Sequence, residues 1–183
     1  MRGWWEEKIK VSRKFHTKLS KIDRPDFIGT RNTPWEVADR VVWNVVPEEY
    51  GEKVRTITDR LLTVKQPLHL TEQLIHGDMN GNILFSDSLA PAIIDFSPYW
   101  RPAEYATSII LADATVWESA SDTLFSEMEN TFENNQLLIR AALWRIKTTD
   151  EFSRLNNTDP SEEMHHYSHF IDVLIKRIES QAV

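Results

Sequence analysis

Residues 73–96 constrain the fold more than any other stretch of this chain. Three apolar runs, Gln73–His76, Asn82–Phe85 and Ala92–Phe96, are four or five residues long and are separated by polar, turn-forming segments. A helix of that length barely repays its nucleation, whereas a strand of that length is ordinary. Bounded by Gly77, Asp78, Asn80, Gly81, Ser86, Asp87 and Pro91, the runs are expected to be short strands joined by turns. Asp78, Asn82 and Asp95 are then held at or beside the ends of short buried segments.

The flanking sequence carries helical periodicity instead. Residues 4–19 spread Trp4, Trp5, Ile9, Phe15 and Leu19 over a broad apolar surface, and the stretch from Pro25 to Pro34 ends it. Thr33-Pro34-Trp35-Glu36 reads as a helix start, with Thr33 as cap, Pro34 at the first position and Glu36 three residues after the cap. Val37, Val41 and Val45 are expected along one face of that helix. Pro47-Glu48-Glu49 opens another, in which Tyr50, Val54, Ile57 and Leu61 form the stripe and Gln66-Pro67 the end. Helical pattern resumes near Pro102 through Ile109, Ile110, Val116 and Trp117, and again over Leu137 to Ile146. Thr148–Thr158 reads as a polar loop. Asp159-Pro160-Ser161-Glu162 is a capped start for a last helix that buries Tyr167, Phe170, Ile171, Leu174 and Ile178. The expected fold class is mainly α with a small central β element. Residues 1–183 fit a single domain.

Composition excludes several functions. The chain has no cysteine, hence no disulfide and no thiolate metal site. No apolar run approaches the roughly 18 residues of a membrane span, and Glu6, Glu7, Lys8 and Lys10 occupy the place of a leader's apolar core. A cytoplasmic location with no membrane partner is expected. The net charge of −7 lies wholly between Pro102 and Ile139, where seven acids stand with no Lys, Arg or His. Such a field repels nucleic acid and favours cationic ligands; the plainer reading is a solvated helical face.

Two carboxylates and an amide oxygen at strand ends suit phosphoryl transfer, which needs a hydroxyl oriented by a carboxylate and a divalent cation held against phosphates. Asp78 is the candidate for the first task, Asn82 and Asp95 for the second. Asn80 competes with Asn82 for the amide position. His76 and Gly77 shape the loop, Gly77 by a backbone geometry closed to larger residues.

His76-Gly77-Asp78 with a following Asn, then Ile94-Asp95-Phe96, resembles the catalytic loop and metal-binding segment of the aminoglycoside phosphotransferase and choline kinase-like family, which has a protein-kinase-like fold. The resemblance covers about residues 4–178 and implies a carboxy-terminal lobe of that fold. It implies Asp78 as catalytic base, Asn82 and Asp95 as magnesium ligands, ATP and Mg2+ as cofactors, and a small-molecule hydroxyl as acceptor. The acidic segment favours a cationic acceptor such as an amino sugar or amino alcohol. Three departures accompany it. Asn82 follows Asp78 by four residues where the family has five, and Ser97 stands where protein kinases carry glycine. The third is the nucleotide-binding amino-terminal lobe, which is expected to be missing, since no Gly-rich loop or strand lysine precedes Gly77. A separate lobe or a dimer partner would have to supply it; otherwise the chain is a non-catalytic binding or interaction module. Apolar surface left uncovered is expected at Trp4, Trp5 and the edges near residues 74–96.

Three lesser features are open to two readings. Glu162, His165 and His169 share a helical face and suit either a metal or solvent. Trp35 and Trp43 could stack on a ligand or anchor helices. Arg101 could reach a phosphate or pair with an acid such as Glu104.

Overall fold

A computed structural model describes residues 4–181. In chain order the elements are α1 (Trp5–Leu19), α2 (Pro34–Val42), α3 (Glu52–Leu62), β1 (Gln73–His76), β2 (Ile83–Leu84), β3 (Ala92–Ile93), β4 (Pro98–Arg101), α4 (Ala103–Trp117), α5 (Phe132–Asn156), α6 (Ser161–Met164) and α7 (Tyr167–Glu179). A 3-10 helix, Asp122–Glu127, separates α4 from α5. The architecture is mainly helical with a small two-sheet β element. Among the described residues no helix is long and apolar enough to cross a membrane. The chain divides into two compact units, one of residues 4–28 with 69–129, the other of residues 29–68 with 130–181.

In the first unit α4 is the core. It is buried from Tyr105 to Val116, as expected of a helix apolar on most of its circumference. α1 and β1 both pack on it. β1 falls where the sequence places it, and pairs antiparallel with β4, Ile75 opposite Tyr99 and His76 opposite Pro98. β4 itself was not foreseen. Its Pro98 hides the strand signal, yet a proline at the first strand position interrupts no ladder bond. β2 and β3 form an antiparallel pair shorter than expected, Ile83 opposite Ile93 and Leu84 opposite Ala92.

In the second unit α5, 25 residues long, packs against α2, α3 and α7. It runs through the stretch 148–156 that the sequence suggested was loop. Polar side chains inside the turns support it there: Thr148 Oγ1 donates to the Trp144 carbonyl (2.8 Å), and Lys147 pairs with Asp150 (2.8 Å) and Glu151 (2.9 Å). The helix ends at Asn157 in the left-handed conformation, φ 53°.

Three helix starts differ from expectation. Thr33 precedes α2, but its hydroxyl donates to the Glu36 carboxylate (3.2 Å), which Arg31 also holds (3.0 Å), so no capping box forms. α2 stops at Val42 and buries Ala38, Val41 and Val42; Val45 lies beyond it and is exposed. α3 begins at Glu52, five residues later than Pro47 suggested. Gly51 N–H donates to the Asp150 carboxylate (3.0 Å), and a Cβ on Gly51 would run into that carboxylate. The last helical region is broken at residues 165–166 into α6 and α7. Pro160, not Asp159, immediately precedes α6 and no capping box with Glu162 forms, although Asp159 accepts from Ser161 N–H (3.0 Å) and Oγ (2.7 Å) just ahead of it.

The aromatic pair in this unit serves packing. Trp35 meets Phe152 edge-on at 4.6 Å, and the Arg140 guanidinium lies 5.3 Å from the Trp43 ring. Asp172, beside the histidine face, pairs with Arg60 at 2.5 Å. Among the described residues no group of three or more His, Asp or Glu is arranged to hold a metal.

Candidate functional site

β1 delivers the polar loop. At its end Gly77 N–H donates to the Ser97 carbonyl (2.8 Å), tying the loop to the chain just past Asp95. Gly77 is required here by close approach, not by a left-handed backbone: an added Cβ would lie 2.5 Å from the Tyr99 ring, which β4 brings alongside.

The buried His76 ring bridges both halves of the site. Its Nδ1 accepts the Asp78 N–H (3.1 Å), and its Nε2 contacts the Ile94 carbonyl (3.2 Å), one residue before Asp95. Only the neutral tautomer with its proton on Nε2 satisfies both bonds. Burial lowers the pKa of His76 and outweighs the Ile94 carbonyl and the charges of Asp78 and Asp95, which pull the other way. The ring also meets Phe96 edge-to-face at 5.3 Å.

The loop closes as a turn in spite of its short spacing. Asn82 N–H donates to the Met79 carbonyl (3.1 Å), and its Nδ2 donates to the Asp78 carbonyl (2.7 Å) and sits 3.4 Å from the Asp78 carboxylate. With Nδ2 spent in this way, Oδ1 is the acceptor the residue offers. Asn82 is tied in turn to the Asp95 segment, since its carbonyl accepts the Ile94 N–H (3.0 Å). Asp95 is exposed and left-handed, φ 47°, a conformation costly for most residues and concentrated at functional sites.

The two asparagines have different tasks. Asn80 is buried with both ends of its amide engaged: Lys8 Nζ donates to Oδ1 (2.9 Å), and Nδ2 donates to Glu118 (2.7 Å). Trp5 Nε1 completes the cluster on Glu118 (2.6 Å). Of the two, Asn82 is the one that reaches Asp78.

α1 backs this whole arrangement, which sequence reasoning missed. Trp4 packs on Phe85 (5.1 Å between rings), Lys8 holds Asn80, His16 Nε2 accepts the His76 N–H (3.0 Å), and Phe15 meets Phe96 edge-on (6.0 Å). Trp4, Lys8, Ser12 and His16 recur every four residues and so share one face. Polar residues on a face that also carries buried side chains were the available signal, because burial of such groups demands partners.

α1 also answers the acidic segment. Arg13 pairs with Glu104 (3.3 Å) and Glu127 (3.8 Å), and Lys8 lies 3.7 Å from Glu118. Much of the segment is α4, and Asp113 is buried within it, so a uniformly solvated acidic face is not what forms. Arg101 pairs with Glu72 at 3.2 Å.

Alternation along β2 and β3 turns Ile83 inward and leaves Leu84 (51% exposed), Ala92 and Ile94 (44% exposed) on the outer face beside Asn82. Trp4, Leu89 and Phe96 are exposed as well, whereas Trp5 is half-buried.

Compared with protein-family models, with curated proteins and with solved structures, the chain matches none. The site must therefore be judged on its own chemistry. Asn82 Oδ1 and the Asp95 carboxylate are hard oxygen donors of the kind Mg2+ takes, and the Asp95 side chain is open to solvent.

Proposed function

We propose that this chain is the acceptor- and metal-binding half of an ATP- and Mg2+-dependent phosphotransferase, similar to the carboxy-terminal lobe of aminoglycoside phosphotransferases, acting on a small-molecule hydroxyl. One observation carries the reading. A single buried imidazole, His76, fixes both the Asp78 loop and the segment leading to a left-handed Asp95, while Asn82 is folded back onto Asp78.

Asp78 would orient the acceptor hydroxyl and take its proton as the oxygen bonds to the γ-phosphorus and the bond to ADP breaks. Asn82 and Asp95 would hold Mg2+, which supplies charge neutralisation for the phosphates. The outer face of Leu84, Ala92 and Ile94, continuous with Asn82, offers apolar surface for a nucleotide base. The phosphate-covering loop and lysine are left to a separate lobe or partner. The ion pairs made by Glu104, Glu118 and Glu127 reduce the case for a cationic acceptor without removing it.

Calorimetry with Mg2+ and ATP tests the reading. The wild type should bind, and Asp95→Ala should weaken binding at least about tenfold, the loss of one charged ligand being worth more than about 1.4 kcal/mol. No heat from the wild type would sink the claim that this chain takes nucleotide unaided and would favour the non-catalytic module. The asparagines should separate in the same assay. Asn82→Ala should lose metal-dependent affinity, whereas Asn80→Ala should retain it while losing about 1–3 kcal/mol of stability in urea, because Lys8 and Glu118 forfeit a buried partner.

A further inference from the structure

We propose that His16 is a positioning residue for the Asp78 loop, a latch that sets the His76 backbone and through it both halves of the site. Its effect on turnover rests on the phosphotransferase reading; its effect on the loop does not.

His16 sits in the last turn of α1, 60 residues before the loop, and is almost fully buried. Its Nδ1 contacts the Ser12 carbonyl (2.8 Å) and its Nε2 accepts the His76 N–H (3.0 Å). The His16 carbonyl takes a third bond, from Gln73 Nε2 at the start of β1 (2.7 Å). The strand is thus held at both ends by one residue of the helix. A buried backbone N–H without a partner is rare and costly, and an imidazole fills here the place a neighbouring strand would take.

Both halves of the site depend on that bond. The His76 ring is placed by its backbone, and the ring receives the Asp78 N–H and reaches the Ile94 carbonyl. Two imidazoles in series therefore run from the Ser12 carbonyl to Asp78 and the Asp95 segment. Phe15, the residue beside His16, touches Phe96 on the far side of Asp95. One turn of α1 thus meets the site on both of its flanks.

The test compares His16→Leu, which keeps bulk and loses the acceptor, with His16→Gln, whose Oε1 can still accept. Amide hydrogen exchange by NMR on the whole chain is the primary readout. In His16→Leu the His76, Gly77 and Asp78 amides should exchange about 10- to 100-fold faster, with the α4 core amides unchanged, and His16→Gln should restore most of the protection. Loop exchange equal to wild type in His16→Leu overturns the latch. Acceleration spread evenly over α4 overturns it too, since that is general loosening. The same variants titrated with Mg2+ and ATP address the site's function separately. Loop loosening without nucleotide binding by any of the three proteins would uphold the latch and remove the claim that this chain takes nucleotide unaided. Binding by wild type and His16→Gln, weakened about tenfold in His16→Leu, would uphold both.

Discussion

Replacing Lys147 with methionine is expected to cost about 3–5 kcal/mol in urea unfolding at pH 7, the usual penalty for stranding a buried charge partner. Methionine keeps the aliphatic stem, so the loss would report the ammonium group and not its packing. That group is 7% exposed and pairs at once with Asp150 (14% exposed) and Glu151 (8% exposed). Its removal leaves Gly51 N–H on Asp150 and Arg154 on Glu151 as the remaining compensation. Burial works to raise the Glu151 pKa, but hydrogen bonds from Arg154 and Lys147 more than offset it and hold the carboxyl below its ordinary value. A depressed carboxylate contributes stability that is present above its unfolded pKa and lost as pH falls through its folded one. The gap between wild type and Lys147→Met should therefore narrow below about pH 4, the unfolded carboxylate value. A cost under about 1 kcal/mol at pH 7 would mean that the pairs behave like exposed ones.

The second large effect belongs to the first unit and to acid. Burial pushes His16 down to about 4; its bond to the Ser12 backbone pulls the other way and His76 adds slightly to the fall. The imidazole is neutral when folded and titrates near its ordinary 6.5 when unfolded. Between those values the unfolded chain binds the extra proton, so this contribution is whole above pH 6.5 and drains away as pH drops toward 4. Its size is about 3 kcal/mol, from a shift of roughly two and a half pH units. Stability measured by urea unfolding from pH 7 to pH 4 should fall less steeply in His16→Gln by about that amount. Parallel profiles for the two proteins would contradict it.

How much of this was legible in the sequence differs between elements for physical reasons. β1 and α1 were readable because apolar runs and flanking breakers agree. β4 was not, because Pro98 and Arg101 disguise a strand whose stability comes from pairing with β1, 22 or more residues away. The end of α5 was read as loop because Thr148, Thr149, Asp150, Glu151, Ser153 and Arg154 are polar, and periodicity counts polar residues as exposed. Lys147, Thr148 and Glu151 are buried, and their ion pairs and backbone bonds make that tolerable. At the site, composition and spacing nominated Asp78, Asn82, Asp95, His76 and Gly77. They could not decide between Asn80 and Asn82, since that depends on where Lys8 and Glu118 arrive in space. Nor could they reveal Tyr99 as the reason for Gly77. Long-range partners of single polar atoms leave no periodic trace.

The interleaving of the two units sets an order for the ribosome. The first needs chain only as far as residue 129, although residues 29–68 intervene, whereas the second waits for residues 130–181. Emerging at about 5–20 residues per second, α1 spends several seconds with Lys8, Ser12 and His16 turned toward partners not yet made. It is short and amphipathic, so it gains little persistence until β1 and α4 arrive. The helix that backs the site is thus translated before the strands and helix it packs on, and becomes secure only with them. Synonymous codons that slow translation once α4 and the residues up to 129 have left the ribosome would give the first unit time to close around α1 before the second is complete.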